Sequence, residues 1–439
     1  MRYLIIFLII SNKIFSLDIK LNATSAILIN ATTGTVLYEK NSHKKCFPAS
    51  TTKIATVLYV IEQKEKEIDK MISILPEWLI TVPKSVKLAE NYNLPPHLLE
   101  PDGSHFFLKK EEKISLLNLL YGSMLKSGND AANALAFSTS KTINDFIKEL
   151  NQYIYNLGCK STNFVNPHGL HHPNHYTTAY DMALITKRAL EVPIFCEIVN
   201  TTTFIRPQTN KQLEKEVITT NQLLRKDRKF YYDKAFGIKT GYTKDAGPTM
   251  VAAARNNDRI VIAVLFGYIN PLDRYRDAIL LFDTVFNEEK TTRCLYRTID
   301  TEFIKKIYGA ATELRAGIHR DIYIDYYPSE TPQLTSELIW EKKSLPISLN
   351  EVVGKISLQD SISNWKMEIP LYAINSVQAS YLLRIIQFFL SRWILTSIIL
   401  GIICIFCSRY LREKFSNLYK VIYRSVSYTH LRAHETSLH

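Results

Sequence analysis

The sequence predicts an α+β fold: an antiparallel sheet carrying a helical subdomain, then a small all-β domain and a C-terminal transmembrane helix. Three observations predict it. Strand-like runs open and close the first 290 residues, with helix-period segments between them. From about Thr291 only short strand-like runs remain, separated by polar, Pro-containing turns. Near the end lies an uncharged apolar run, Trp393–Cys407.

Met1–Ser16 has the pattern of a secretory signal: Arg2, an apolar core over Tyr3–Ile10, and small Ser16 for cleavage. Ala26–Asn30 and Val36–Glu39, joined by Thr32-Thr33-Gly34-Thr35, form a β-hairpin. Pro48 suits a helix start, and Ile54, Ala55, Val57, Leu58, Val60 and Ile61 make the helix apolar on nearly every side, which predicts that it is buried. Helical patterns cover Glu112–Met124 and, after a break at Lys126–Asp130, Ala131–Ala136. Thr142–Leu157 and Thr178–Leu190 are helices, the second capped by Thr177 or Thr178. Ala235–Thr243 is a strand ending in a turn, Met250–Ala254 and Ile260–Gly267 a second hairpin, and Arg276–Phe286 a helix. The first domain spans 17–290 and the β-rich domain 291–379, with strands at Ile322–Tyr326, Leu338–Glu341 and Val352–Ile356.

A linker and transmembrane helix occupy 380–408. Arg392 snorkels to extend the span to ~20 residues, and Trp393 anchors it at an interface. Arg409, Arg412 and Lys414 follow in a basic tail over 409–425, placing the C-terminus in the cytoplasm and the domains outside. Val426 onward has no periodicity and resembles translated sequencing-adapter read-through, so residues 426–439, His430 and His434 included, are set aside.

The net charge is +12, and four of those charges lie in the last thirty or so residues. No arginine-rich helix or basic run interleaved with aromatics occurs, which argues against nucleic-acid binding. The six cysteines, Cys46, Cys159, Cys196, Cys294, Cys404 and Cys407, give no metal-ligand spacing, and no cofactor is implied. The first four are either buried thiols or disulfide partners.

The chemistry resides in three stretches. In Ser50-Thr51-Thr52-Lys53 a hydroxyl and an amine sit one helical turn apart. A lysine at the start of a buried helix is costly when charged, so its pKa falls and the neutral amine can take the Ser50 proton. Ser127-Gly128-Asn129 lies on a loop between helices, and Lys239-Thr240-Gly241 near a strand's end. Each triplet is common alone; together, in this order and with these flanks, they are specific.

The set resembles the penicillin-recognising serine enzymes and, over about Ala26–Phe286, the low-molecular-weight D-alanyl-D-alanine carboxypeptidases. Pro48–Lys53, Ser127–Ala132, Asn166–Leu170, Thr178–Ala183, Gly237–Gly241 and Tyr275–Ala278 are similar to that family's segments. The resemblance implies a β-lactamase/transpeptidase-like fold, an acyl-enzyme on Ser50, Lys53 as base and Ser127 as proton relay. It implies substrate contacts from Asn129, Lys239, Thr240 and Gly241, and an oxyanion hole from the N–H groups of Ser50 and Tyr242. It also implies a carboxylate-receiving arginine at Arg276. The substrate would be a peptidoglycan stem peptide and the inhibitors β-lactams. Many members carry His where Tyr242 stands, and the anchor here has the composition of a true span. His168 reads equally as a structural loop histidine, and Asp181 as a first-turn residue favoured by the helix dipole.

Three alternatives compete: a β-lactamase, a DD-endopeptidase and a catalytically silent wall-binding protein. The class A deacylating glutamate, in Glu-x-x-Leu-Asn, is missing: three before Leu150 stands Ile147, although Glu149-Leu150-Asn151 is nearby. The intact triplets argue against the silent protein.

Overall fold

A computed structural model describes residues 19–341, 344–362 and 365–434, with side chains placed as far as residue 420. The signal segment, Met1–Ser16, lies outside the described residues, as does the end of the set-aside tail.

The chain begins with a hairpin, β1 (Ser25–Asn30) and β2 (Val36–Lys40), followed by a single 3-10 turn over Ala49–Thr52 and helix α1 (Lys53–Lys64). A helical region with two small ribbons comes next. It comprises β3 (Met71–Ser73), α2 (Lys84–Ala89), β4 (Lys113–Ser115), α3 (Leu116–Leu125), α4 (Asn129–Thr139), α5 (Ile143–Asn156), α6 (Ala179–Ala189), α7 (Pro193–Asn200), β5 (Thr203–Arg206) and β6 (Lys215–Ile218). The chain then returns to the sheet through β7 (Ala235–Thr243), β8 (Gly247–Asn256) and β9 (Arg259–Phe266), and α8 (Asp273–Phe286) closes the domain. The five-stranded sheet runs β2-β1-β9-β8-β7, antiparallel throughout, with β7 at a free edge.

Period-two alternation explains the layering. Ile27, Ile29, Val251, Ala253, Ile262 and Val264 face the helical region, where α1 is buried in the middle. Ala26, Leu28, Ala252, Val261, Ala263 and Leu265 face α8 through Leu281, Phe282 and Val285. The expected Glu112–Met124 helix starts later, because Lys113–Ser115 pairs with β3 and Ser115 caps α3, its hydroxyl accepting the Asn118 N–H at 3.3 Å. Thr142 and Thr178 cap α5 and α6 by accepting the N–H groups of Asp145 and Asp181. The hairpin β5–β6, α7 and the segment between β3 and β4 were not legible in the sequence pattern.

The second domain contains β10 (Thr291–Tyr296), β11 (Glu302–Lys305), β12 (Leu314–Gly317), β13 (Ile322–Tyr326), β14 (Leu334–Trp340), β15 (Val352–Asp360) and β16 (Lys366–Ala373). One sheet runs β11-β12-β16-β15-β14, and β10 pairs with β13. Its own core is built on Leu314, Val353, Ile356, Ile369, Leu371 and Val377. A single helix, α9 (Tyr381–His434), follows. Over Tyr381–Lys420 it is long and apolar enough to cross a membrane, and its most apolar stretch buries none of its surface in the protein. All six cysteines are free thiols.

Arg259, the first residue of β9, joins the two domains. Its guanidinium pairs with Glu288 at 2.9 Å and Glu330 at 2.7 Å, donates to the Val285 carbonyl, and lies 4.0 Å from the Tyr327 ring centre. Asn30 Nδ2 also donates to Glu330, at 3.0 Å. All three charged side chains are largely buried, so removing the cation strands two carboxylates away from water. Arg259→Ala is expected to cost about 3–5 kcal/mol of stability, read as a lowered urea midpoint; a loss under 1 kcal/mol would show that the contact carries no weight.

Candidate active site

The site forms where α1, the α3–α4 loop and the edge strand β7 meet. The Ala49–Thr52 turn packs on β7, and Ser50 is its second residue. Its geometry is tight: Ala49 adopts φ +50 and Ser127 adopts φ +61, left-handed conformations that cost non-glycine residues free energy and that cluster at functional sites.

Lys53 is fully buried, and its Nζ has three partners. It lies 3.0 Å from Ser50 Oγ, 2.7 Å from Asn129 Oδ1 and 2.7 Å from the His168 carbonyl oxygen. Burial lowers its pKa well below the usual lysine value; the charge of Lys239 lowers it further, and Asp130 opposes. The neutral amine keeps two protons for Asn129 and His168 and offers its lone pair to the Ser50 hydroxyl. Lys239 is itself buried, its Nζ donating to the Thr240 carbonyl at 2.9 Å. Burial, then the neighbouring charge of Arg274, pulls its pKa down to about 7.

The loop bearing Ser127 and Asn129 is fixed from below by Asp130. Its buried carboxylate accepts the N–H groups of Phe106 at 2.7 Å, Leu108 at 3.0 Å and Ala131 at 3.0 Å. Ser127 and Asn129 are buried, Asn129 being the first residue of α4.

Gly241 faces the nucleophile. A Cβ there would stand 2.9 Å from Ser50 N and 2.4 Å from Thr249 Oγ1, so only glycine allows β7 this close approach. The next residue, Tyr242, is 64% exposed and offers the site its backbone rather than its ring. Gly169, at φ +88, supports the turn from the other side: a Cβ would lie 1.9 Å from the Ala49 carbonyl oxygen. Thr240 Oγ1 lies 3.1 Å from Thr220 Oγ1.

The structure thus brings Ser50, Lys53, Asn129, Lys239, Thr240, Gly241 and the Tyr242 backbone together, with Ser127 on the adjoining loop. It does not bring Arg276. That side chain is 52% exposed and pairs with Asp273 in its own helix. Arg274 reaches the site instead, its Nη1 donating to the Gly241 carbonyl at 3.0 Å. Two residues along a helix is about 200° of rotation, so Arg274 and Arg276 sit on opposite faces. Ala278, Leu281 and Val285 are buried, and Arg274 continues that face by one turn, a signal the sequence contained. Asp130 and the His168 carbonyl also escaped sequence reasoning. The His168 ring is structural: it is buried, with Nδ1 accepting the Leu170 N–H at 3.1 Å and Nε2 3.1 Å from the His97 carbonyl. Asp181 accepts from Ser161 N and Thr162 Oγ1, which ties a loop to α6.

Gly241→Ala is expected to slow acylation by a fluorescent penicillin about 100-fold or more, the loss associated with one misplaced oxyanion donor, and to lower the melting temperature through the overpacked contact. Labelling at the native rate would remove the close approach from the account.

Comparison with known proteins agrees with this geometry. Residues 12–270 match a protein family described as D-alanyl-D-alanine carboxypeptidase. The chain is 30% identical over 342 residues to D-alanyl-D-alanine carboxypeptidase DacF of Bacillus subtilis, covering 78% of this chain and 77% of that protein. It is 28% identical over 382 residues to DacD of Escherichia coli, covering 84% and 91%. Among solved structures, penicillin binding protein 5 of Haemophilus influenzae aligns over 82% of this chain and 98% of its own, at 25% identity and TM-score 0.55. A buried lysine beside a serine, a second serine loop and a close-packed Lys-Thr-Gly edge, on this fold and with these relatives, place the chain in the D-alanyl-D-alanine carboxypeptidase family.

Proposed function

We propose that the protein is a serine DD-carboxypeptidase that removes the terminal D-alanine from peptidoglycan stem pentapeptides. One observation carries the reading: a desolvated amine 3.0 Å from a serine hydroxyl beside a strand edge only glycine permits. Ser50 Oγ attacks the carbonyl of the penultimate residue as Lys53 Nζ takes its proton. The resulting oxyanion lies between the N–H groups of Ser50 and Tyr242. The Ser127 hydroxyl passes a proton to the departing amine, D-alanine leaves, and water hydrolyses the ester. Asn129 holds Lys53 in place, and Lys239, Thr240 and Arg274 receive the substrate's carboxylate. Arg274 takes the role the resemblance assigned to Arg276.

β-Lactams would acylate the same serine and leave slowly. Glu149, the carboxylate nearest in sequence to a class A deacylating base, accepts hydrogen bonds from Ser140 Oγ at 2.6 Å and Tyr59 Oη at 3.2 Å instead. The span at α9 would anchor the enzyme. The basic residues after it, Arg409, Arg412 and Lys414, favour a cytoplasmic C-terminus and an extracytoplasmic catalytic domain.

The test is to incubate the protein with monomeric and cross-linked muropeptides and weigh the products. Loss of a single alanine from monomers is expected; cleavage of dimers in its place would favour an endopeptidase. Ser50→Ala is expected to abolish fluorescent-penicillin labelling, and persistent labelling would exclude Ser50 as nucleophile. The second-order rate of acylation is expected to be bell-shaped in pH. It rises as Lys53 loses its proton, which burial and the charge of Lys239 bring well below the usual lysine value, and falls through about pH 7 as Lys239 loses the charge that attracts the carboxylate. A flat profile from pH 5 to 9 would contradict this assignment.

A further inference from the structure

One group of side chains around the β7–β8 turn has no part in the steps above. Asp245 sits in the β7–β8 turn, three residues past Tyr242, and its Oδ2 pairs with Lys84 Nζ at 2.6 Å. His171 Nδ1 lies 3.9 Å from the same oxygen. The His171 ring contacts Phe47, three residues before the nucleophile, and Tyr92, with ring centres 4.6 and 5.3 Å apart. Among the described residues, His171 Nδ1 and Tyr92 Oη are buried with no hydrogen-bond partner. Lys84 and Asp245 keep partial exposure, 27% and 32% of their side chains. The group therefore combines two opposite charges within reach of solvent and two unsatisfied polar atoms.

Its position relative to the substrate follows from the proposed carboxypeptidase reading, on which this inference rests. The leaving residue's carboxylate lies by Thr240 and Arg274, and the scissile carbonyl lies at Ser50 N and Tyr242 N. The remaining peptide must then leave past Tyr242, along the free edge of β7, as an added strand. An extended chain advances about 3.4 Å per residue. The third residue of the stem thus lies beside the β7–β8 turn, and its long side chain reaches about as far as Asp245.

We propose that the Lys84–Asp245 pair recognises the third residue of the stem peptide by the end of its side chain, selecting one that carries an ammonium and a carboxylate on the same carbon. The ammonium meets Asp245 and the carboxylate meets Lys84, so each charge in the pair gains an opposite neighbour and none is stranded. Tyr92 Oη and His171 Nδ1 can bond the same head group. A lysine side chain, ending in a lone ammonium, would compete with Lys84 for Asp245 and leave Lys84 unpaired. Burial favours the neutral forms of Asp245 and His171, yet the hydrogen bond and the charge of Lys84 outweigh it at Asp245, which stays ionised at neutral pH.

The test uses the full-length protein in detergent and three pentapeptides, differing at position three: meso-diaminopimelate, its side-chain carboxamide, and lysine. D-alanine release gives kcat/KM for each. The native protein is expected to prefer the diaminopimelate peptide over both others by about tenfold, the worth of one charge-assisted hydrogen bond. In Lys84→Gln the penalty for amidation is expected to vanish, because the carboxylate has lost its partner; in Asp245→Asn the preference over lysine shrinks. Equal rates of the native protein on all three peptides would overturn the proposal, and this result needs no variant to fold. Variants that slow all three peptides alike would also overturn it, since that is the signature of a structural clamp. Failure of penicillin to acylate the native protein would instead sink the carboxypeptidase reading beneath it.

Discussion

A lysine ammonium without water is the constraint on which the rest of the molecule depends. Lys53 begins a helix that is buried on every face as far as Ile61, and among the described residues no carboxylate pairs with it. A charged amine in that setting is costly, and the fold answers by letting the proton go. The neighbouring positive charge of Lys239 pushes the same way, and the carbonyls of Asn129 and His168 occupy the two remaining N–H groups. What remains is a lone pair aimed at one hydroxyl. The device has a stability cost with a definite sign. Both lysines bind protons more weakly in the fold than in the unfolded chain, so between about pH 7 and the usual lysine value of 10.5 the unfolded state holds more protons. Each pH unit gained across that window reduces the penalty.

The surrounding elements maintain that arrangement. Asp130 holds three backbone N–H groups and so fixes the loop that delivers Ser127 and Asn129. Gly169 lets a loop press on the Ala49 carbonyl, and Gly241 lets β7 press on Ser50 N. These are contacts between backbones, where a single methyl group would separate the parts. The second domain stays outside this machinery. It meets the first through the Arg259 cluster, on the strand adjacent to the hairpin rather than at the catalytic edge.

Much of this was legible in the sequence. Alternating apolar residues gave the central sheet, and Thr142 and Thr178 marked helix starts correctly, because both signals act within a few residues. The triplets indicated which side chains meet, since their chemistry makes sense only in one cleft. Other features were hidden because they depend on distant partners. Asp130 looks like an ordinary first-turn acid until residues 106 and 108 fold over it. The His168 carbonyl belongs to the backbone and leaves no mark in composition. Arg274 was recoverable: helical phase alone separates it from Arg276, and the buried Ala278, Leu281 and Val285 choose between them.

The most direct measurement is the ionisation of Lys53 itself. The protein can be labelled with 15N at lysine side chains, with the Lys53 signal assigned through Lys53→Arg and followed by NMR from pH 5 to 11. A Lys53 resonance that turns into that of a neutral amine well below the usual lysine value is the predicted result. A Lys53 that titrates with the surface lysines would contradict the account at its root.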